Sequence, residues 1–419
     1  VSPPDVKRRR SLTHVGGAVV TAGDRELAGL LAQALDVQPA RAPSTTDSSA
    51  DDADRVHVHG FHAYPARIHP VTAACLVRAV SREGATVLDP FCGSGTVLVE
   101  AMLAQRRAIG TDLNPLAVRL ARLKTTLLEP RAGTAIVSAA NDVGAFSTER
   151  RKRRAGSTKR YQPEDVELFD PHVLLELDSI QAGIATQVGP DPALRGALEL
   201  VLSAILVKVS RRASDTSATM VPRRLAAGYA TRLFVSKAAE LARRLGEFAQ
   251  LAAPGVAPAR VELDDAAKLR SIAASTVDAV VTSPPYVSTY DYLAQHSARL
   301  RWLKLDATRF AASEMGARRR FVRLDAGAAR TAWSRELDAV LRSIRRVCRP
   351  HARVVMVLAD SAVQDEALRA DSILAAVARD TGFAILARAS QTRPHFHAGT
   401  ARAFQDRPRA EHAIALEKQ

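Results

Sequence analysis

Short apolar runs recur along this chain at 86–88, Arg107–Asp112, 260–265, Val277–Thr282, 354–358, 383–389 and 412–416. Each is long enough for a buried strand and too short for a helix. Around them, at 71–80, 97–103, 115–124, 290–303, 331–348 and 371–380, apolar residues return every three or four positions, the spacing of one helix face. Pro115, directly after Asn114, sits where a first helical turn tolerates proline. Strand and helix alternate, so the expected fold class is α/β, with seven strands in one mixed, Rossmann-like sheet.

From 126 to 259 the alternation stops. Helical patterns occupy 174–184, 193–209 and 226–251, after a basic stretch at 150–160. We expect an inserted, mainly helical subdomain at 126–259 that divides the α/β domain into 56–125 and 260–419. Residues 1–55 hold a basic cluster at 7–10 and a Pro/Ser/Thr/Asp-rich stretch at 39–54. That composition predicts a flexible basic N-terminal arm, with one amphipathic helical piece at 24–35.

The chain has 419 residues, 47% of them hydrophobic, and no apolar run approaches the roughly 20 residues that cross a bilayer. Its first residues lack an apolar segment of signal-peptide kind, so a soluble, cytoplasmic protein without membrane contact is expected. Cys75, Cys92 and Cys348 are too few and too scattered for a disulfide framework or a zinc site, and read as small buried hydrophobes. The formal net charge of +15 is the more informative number, because it favours polyanionic partners.

Two stretches carry chemistry. Asp89-Pro90-Phe91-Cys92-Gly93-Ser94-Gly95-Thr96 follows a strand and opens into a helix, and its two glycines let the backbone turn sharply beside a ligand. The next strand ends at Asp112, where such folds place a carboxylate on ribose hydroxyls. Leu98 occupies the place of a third glycine, which disfavours NAD and leaves other adenosine-bearing cofactors. The second stretch, Ser283-Pro284-Pro285-Tyr286, lies at the carboxyl end of a strand, where open α/β sheets bind ligands. A hydroxyl and a proline-fixed carbonyl suit the two hydrogens of an amino group, and Tyr286 suits a planar base. His59, His62 and His69 lie nearby in sequence, but no Cys, Asp or Glu completes a ligand set at helical or hairpin spacing, so no metal is expected.

Together the two stretches resemble the S-adenosyl-L-methionine-dependent amino-methyltransferases of DNA, the N4-cytosine and N6-adenine group. Phe61-His62-Ala63-Tyr64-Pro65-Ala66-Arg67 resembles the loop that precedes their glycine motif. The resemblance implies a methyltransferase fold without a metal. It assigns Tyr64 and Thr96 to the methionine part of the cofactor, and Asp89, Phe91, Gly93 and Gly95 to the turn around it. Asp112 would take the ribose, Asp265 the adenine amine, and Ser283, Pro284, Pro285 and Tyr286 the target base. Serine at the first catalytic position is similar to the cytosine-N4 enzymes. Methylation of cytosine carbon 5 is disfavoured, because it needs a positioned cysteine and no Pro-Cys pair occurs.

Duplex DNA is the expected partner, with Arg151, Lys152, Arg153, Arg154, Arg318, Arg319 and Arg320 as candidate phosphate contacts. A restriction endonuclease partner and the oligomeric state stay open. The alternatives are an adenine-N6 enzyme, an RNA guanine-N2 enzyme, and a nucleic-acid-binding protein without catalysis.

Overall fold

The computed structural model describes residues 16–37, 56–214, 217, 219–394 and 401–419. The basic cluster at 7–10 and the stretch at 39–54 lie outside the described residues. In chain order the strands are β1 Val19–Gly23, β2 Thr86–Asp89, β3 Arg107–Asp112, β4 Arg260–Leu263, β5 Val277–Thr282, β6 Cys348–Ala359, β7 Ser361–Val363, β8 Glu366–Leu368, β9 Phe383–Thr392 and β10 Ala410–Lys418. The helices before the insert are α1 Arg25–Leu35, α2 Pro70–Val80, α3 Thr96–Leu103 and α4 Pro115–Lys124. The insert holds α5 Pro130–Lys152, α6 Pro163–Leu168, α7 Pro171–Gln187, α8 Pro192–Val209 and α9 Tyr229–Leu251. Then come α10 Tyr292–Trp302, α11 Thr308–Ser313, α12 Arg318–Phe321, α13 Ala326–Val347 and α14 Ala370–Asp380. Among the described residues, no helix is long and apolar enough to cross a membrane.

Eight strands form one sheet in the order β1-β9-β10-β6-β5-β2-β3-β4, and β7 and β8 pair separately. From β6 to β4 all neighbours are parallel, while β10 runs antiparallel to β6 and β9. Connections run outward from β2 in one direction and from β5 in the other, so the strand order reverses between them. A crevice opens there at the carboxyl ends of both strands. Side chains alternate between the two faces, as pleated strands require. Val87, Val281 and Val355 face the core shared with α2, α3 and α4; Leu88, Val280 and Val354 face the core shared with α13 and α14.

The seven strands read from the sequence are all present, and an eighth comes from the segment expected to be an arm. β1 pairs with β9 from Val19↔Gln391 to Gly23↔Ala387. Its side chains are mostly exposed, so an edge strand of this kind leaves no alternating pattern to read. The amphipathic piece is α1, capped by the Asp24 carboxylate on the Leu27 N–H at 2.8 Å, and it buries Leu27, Leu31 and Leu35. Residues 16–37 are therefore part of the fold, and the expected boundary at residue 55 is corrected to that extent.

The segment 126–259 holds helices α5 to α9 and packs against the α/β core. Its buried residues from α5, α7, α8 and α9 belong to the same apolar cluster as α2, α3 and α4. Four of its five helices start with proline at the first helical position. Sequence periodicity does not reveal α5, because its inner face is built from Ile136, Ala139, Ala140, Val143, Gly144 and Ser147, mostly small residues. Smallness is needed there: a Cβ on Gly144 would come within 2.7 Å of Val235 Cγ2 on α9.

Leu31 tests whether this N-terminal element contributes to the fold, since its side chain is fully buried. Leu31→Ala is expected to lower the free energy of unfolding by about 2–5 kcal/mol, read from urea denaturation. A flexible arm would give a change near zero.

Candidate active site

The glycine turn follows from local backbone demands. Gly93 and Gly95 have φ of +50° and +88°, the left-handed region that glycine adopts without strain. A Cβ on Gly95 would lie 3.1 Å from Ala121 Cα, so this glycine lets α3 approach α4 closely. A Cβ on Gly93 would lie 3.2 Å from Tyr64 Cε1, so that glycine admits the ring of the preceding loop. The missing third glycine also has an explanation. Leu98 on α3 is accommodated by Gly110 on β3, whose Cβ would approach Leu98 Cδ1 to 2.5 Å.

Asp89 and Asp112 fix the turn from both sides. Asp89 Oδ1 accepts the Thr282 hydroxyl at 2.6 Å and the Phe91 N–H at 3.1 Å, which joins β2 to β5. Asp112 accepts the Gly93 N–H at 2.9 Å through Oδ2 and the Asn114 N–H at 2.8 Å through Oδ1. With the Leu113 N–H also donating, three of the roughly four lone-pair sites of the carboxylate are taken by backbone, and acceptor capacity remains for a ligand. Burial pushes the Asp89 carboxyl up to about 7 and the Asp112 carboxyl up to about 6. Tyr64 accepts from Asn114 Nδ2 at 3.3 Å and stacks on His296, with ring centroids 4.9 Å apart.

A cavity of about 440 Å³ brings most of the expected site together. Tyr64, Asp89, Phe91, Gly93, Thr96, Asp112, Asp265, Ser283 and Pro285 all line it; Gly95, Pro284 and Tyr286 do not. The Asp265 carboxylate is held by the Ala267 N–H at 3.0 Å and by Lys268 Nζ at 2.8 Å. Ser283 Oγ lies 3.4 Å from the Tyr286 hydroxyl, which in turn lies 3.2 Å from Glu411 Oε1.

The structure adds residues that the sequence alone does not mark. Tyr292 and Phe310 give the cavity further aromatic faces, and Glu314 and Glu336 line it as well. The Glu336 carboxylate accepts the Gly316 N–H at 2.9 Å, and Gly316 packs against the Pro285 carbonyl, where a Cβ would lie at 3.1 Å. In the sequence Asn114 reads only as a helix start. The others lie in a segment whose fold depends on partners remote in sequence, so no local signal marks them.

The candidate phosphate contacts divide. Arg319 pairs with Glu314 at 2.5 Å and with Asp291 at 2.7 Å, and Arg320 pairs with Glu336 at 2.7 Å and lines the cavity. Both are engaged by acids, Arg319 half-buried and Arg320 exposed, and Arg318 is exposed as well. Arg151, Lys152, Arg153 and Arg154 are exposed at the end of α5, with Arg153 paired to Glu149. Lys159 anchors this basic stretch to α10 by resting 4.0 Å over the Trp302 ring.

His59 and His62 are buried and polar-bonded: His59 Nε2 meets Glu100 Oε1 at 2.7 Å, and His62 Nε2 meets Ser203 Oγ at 2.9 Å. Glu100, remote in sequence, thus supplies the carboxylate that spacing alone does not reveal, and His57 joins the pair.

The mostly parallel sheet places this cavity where its strand order reverses, and the lining could hold an adenosine-bearing cofactor such as S-adenosylmethionine. Thr96 Oγ1 is buried at the cavity without a hydrogen-bond partner among the described residues, so it is available to a ligand. Asp89, Asp112, Asp265 and Glu314 give the surroundings a sulfonium cation requires. Residues 38–123 match the model of the DNA methylase family. Through that segment the chain is similar to DNA amino-methyltransferases. It is 41% identical over 75 residues to a type II methyltransferase, M.MvaI, of Kocuria varians, covering 17% of this chain and 16% of that protein. It is 40% identical over 61 residues to a tRNA (guanine(10)-N2)-dimethyltransferase of Methanothermobacter thermautotrophicus, covering 14% of this chain and 18% of that one. The chain thus spans less than a fifth of the length of these two relatives. Among solved structures, the rRNA methyltransferase aviRa from Streptomyces viridochromogenes superposes with a TM-score of 0.34 and 15% identity, covering 90% of this chain and 95% of that one.

The titration of Asp112 has a measurable consequence. Its raised pKa means that the carboxyl is ionised above about pH 6 and protonated below. Ribose hydroxyls at Asp112, the contact the sequence resemblance implies, would need the acceptor form, so affinity would be held above that pH and lost as pH falls through it. Calorimetry with S-adenosylmethionine should show a constant Kd near pH 8 and a weakening of up to tenfold per pH unit below about 6. Asp112→Asn should flatten that profile. A wild-type profile level from pH 5 to 8 would remove Asp112 from the ribose contact.

Proposed function

We propose that the protein transfers a methyl group from S-adenosylmethionine to the exocyclic amino nitrogen of a DNA base, cytosine N4 in the first place. One observation carries the proposal: Ser283 and Pro285 of Ser283-Pro284-Pro285-Tyr286 open into the same cavity as Asp112 and the glycine turn. The Ser283 hydroxyl and the Asp112 carboxylate thus border one chamber, which supports this reading.

Bound there, the cofactor supplies an electrophilic methyl group on a sulfonium. The protein's part is to shape the nucleophile. An amino nitrogen on an aromatic ring delocalises its lone pair into the ring. Acceptance of its two hydrogens by Ser283 Oγ and the Pro284 carbonyl would favour a pyramidal nitrogen whose lone pair forms the new N–C bond as the methyl's bond to sulfur breaks. The sulfur would leave as a neutral thioether, and one of the two amino hydrogens would leave as a proton to solvent. Positioning and electrostatics are the main catalytic terms. A base within a duplex must first leave the stack, at a few kcal/mol. Tyr64, Phe91, Tyr292 and Phe310 offer aromatic surface to it and to the cofactor's adenine.

Phosphate contacts fall to Arg151, Lys152, Arg153, Arg154 and Arg318. Replacing the four residues on the α5 end with glutamine should weaken DNA binding across all sequences. It should also reduce the slope of log affinity against log salt by about 0.9 for each phosphate no longer neutralised. A slope identical to wild type would place the DNA elsewhere on the protein.

The direct test is transfer of a labelled methyl group to duplex DNA, with nucleoside analysis of the product. N4-methylcytosine is expected, with Ser283→Ala and Asp112→Ala each reducing transfer about 100-fold. N6-methyladenine would move the target to adenine. Label in RNA guanine alone would assign the protein to RNA, the substrate named for the tRNA relative. Nucleic-acid binding without any transfer would leave a non-catalytic protein.

A further inference from the structure

Resting on this reading, we propose that Glu411 is a positioning residue: its carboxylate, through the Tyr286 hydroxyl, directs which side of the Ser283 hydroxyl faces the target amino group. Glu411 lies on β10, far in sequence from the catalytic tetrapeptide, yet its Oε1 is 3.2 Å from the Tyr286 hydroxyl. Ser283 Oγ is 3.4 Å from that same hydroxyl, so the three groups form one chain that ends in the cavity.

The direction of this chain follows from donor and acceptor inventory. A serine hydroxyl has one hydrogen and two lone pairs, and it rotates to suit its neighbours. To receive an amino hydrogen, Ser283 must present a lone pair to the cavity and send its own hydrogen elsewhere. A carboxylate can only accept. Glu411 therefore takes the hydrogen of Tyr286, which leaves the Tyr286 oxygen as acceptor for the hydrogen of Ser283. The lone pairs of Ser283 are then the groups left to face the amino nitrogen.

Glu411 is itself held in place. Arg393, just beyond β9, donates to its Oε2 through Nε at 2.9 Å, and the second guanidinium nitrogen lies at 2.7 Å. The Arg393 side chain is almost fully buried and also donates to the Leu35 carbonyl at the end of α1 at 3.3 Å. This two-point hold on Oε2 leaves Oε1 for Tyr286. The acidic residue is thus aimed at the catalytic loop by a strand pair and by the N-terminal helix.

Glu411→Gln keeps size and shape but changes polarity. Arg393 donates only, so it holds the amide oxygen and turns the amide NH2 toward Tyr286. Tyr286 must then accept from Gln and donate to Ser283, whose hydrogen swings toward the amino group and opposes it.

The experiment is a double-mutant cycle in the methyl-transfer assay with wild type, Glu411→Gln, Tyr286→Phe and the double variant, measuring kcat, the KM for S-adenosylmethionine, and thermal stability. Glu411→Gln is expected to lower kcat about tenfold or more, leave the cofactor KM unchanged, and have no further effect once Tyr286 is Phe. Tyr286→Phe retains the ring while removing the link, so it separates the hydrogen-bond role from packing. A Glu411→Gln variant with wild-type kcat overturns the proposal, as does a double variant whose loss is the product of the single losses. A structural role alone would lower stability and multiply with Tyr286→Phe. If wild type transfers methyl to none of the nucleic acids, the functional reading fails and takes this role with it. If wild type is active and Glu411→Gln matches it, only the positioning role falls.

Discussion

The hydrogen bond from Thr282 to Asp89 is the contact on which the site depends. It is 2.6 Å long and joins residues separated by 193 positions. Asp89 closes β2 and begins the glycine turn; Thr282 closes β5 and precedes Ser283. One carboxylate oxygen therefore sets the distance between the glycine turn and the segment Ser283-Pro284-Pro285-Tyr286, at the point where the strand order reverses. The same oxygen holds the Phe91 N–H, so the first step of the turn is fixed with it. Burial pushes this carboxyl up to about 7, and its place is maintained by the strand pairing of Val87 with Ala279 and Leu88 with Val280. The parallel sheet supplies the rigidity, and the acid converts it into a defined gap.

Outside that gap, the site is assembled by elements that come from far along the chain. Gly316 approaches the Pro285 carbonyl because Glu336, on α13, holds its N–H. Arg319 and Arg320 tie the 308–321 segment to Asp291 and Glu336, and Arg319 also pairs with Glu314 within it. On the other side, the loop carrying His62 is fixed to Ser203 of α8, so the insert braces the approach to Tyr64. That explains why the insert shares its apolar cluster with the sheet. A freely tethered subdomain would not hold a loop that lies against the glycine turn.

How much of this is legible in the sequence varies with the range of the cause. Strands β2 to β6 and their helices announce themselves by apolar spacing, and the glycine turn by residues whose steric reason is local. Asp112 and Ser283 are readable because strand ends in this class of sheet converge on one edge. β1 is not readable, since an exposed edge strand has no alternation, and α5 is not, since small residues make its buried face. Cavity residues Glu314 and Glu336 escape for a different reason: their positions follow from ion pairs across the fold. Arg319 and Arg320 illustrate the limit well. A run of three arginines reads as a phosphate site, and two of the three are paired with acids of the protein itself.

Charge is distributed so that one chain can suit two opposite ligands. The sequence carries a formal net charge of +15, yet the cavity is lined by Asp89, Asp112, Asp265, Glu314 and Glu336 against Arg67, Arg320 and Arg335. Excess positive charge is thus placed away from the chamber, including the exposed arginines at the end of α5. A polyanion is drawn to such a surface over a Debye length of about 8–10 Å at ordinary salt. Inside the chamber, low solvent access strengthens short-range terms, so carboxylates there act on a cationic ligand with little screening. Five acids against three arginines leave the chamber net acidic, which would favour a cationic ligand over a phosphate there. That contrast between surface and chamber would let the surface draw a polyanion while the pocket takes a cation.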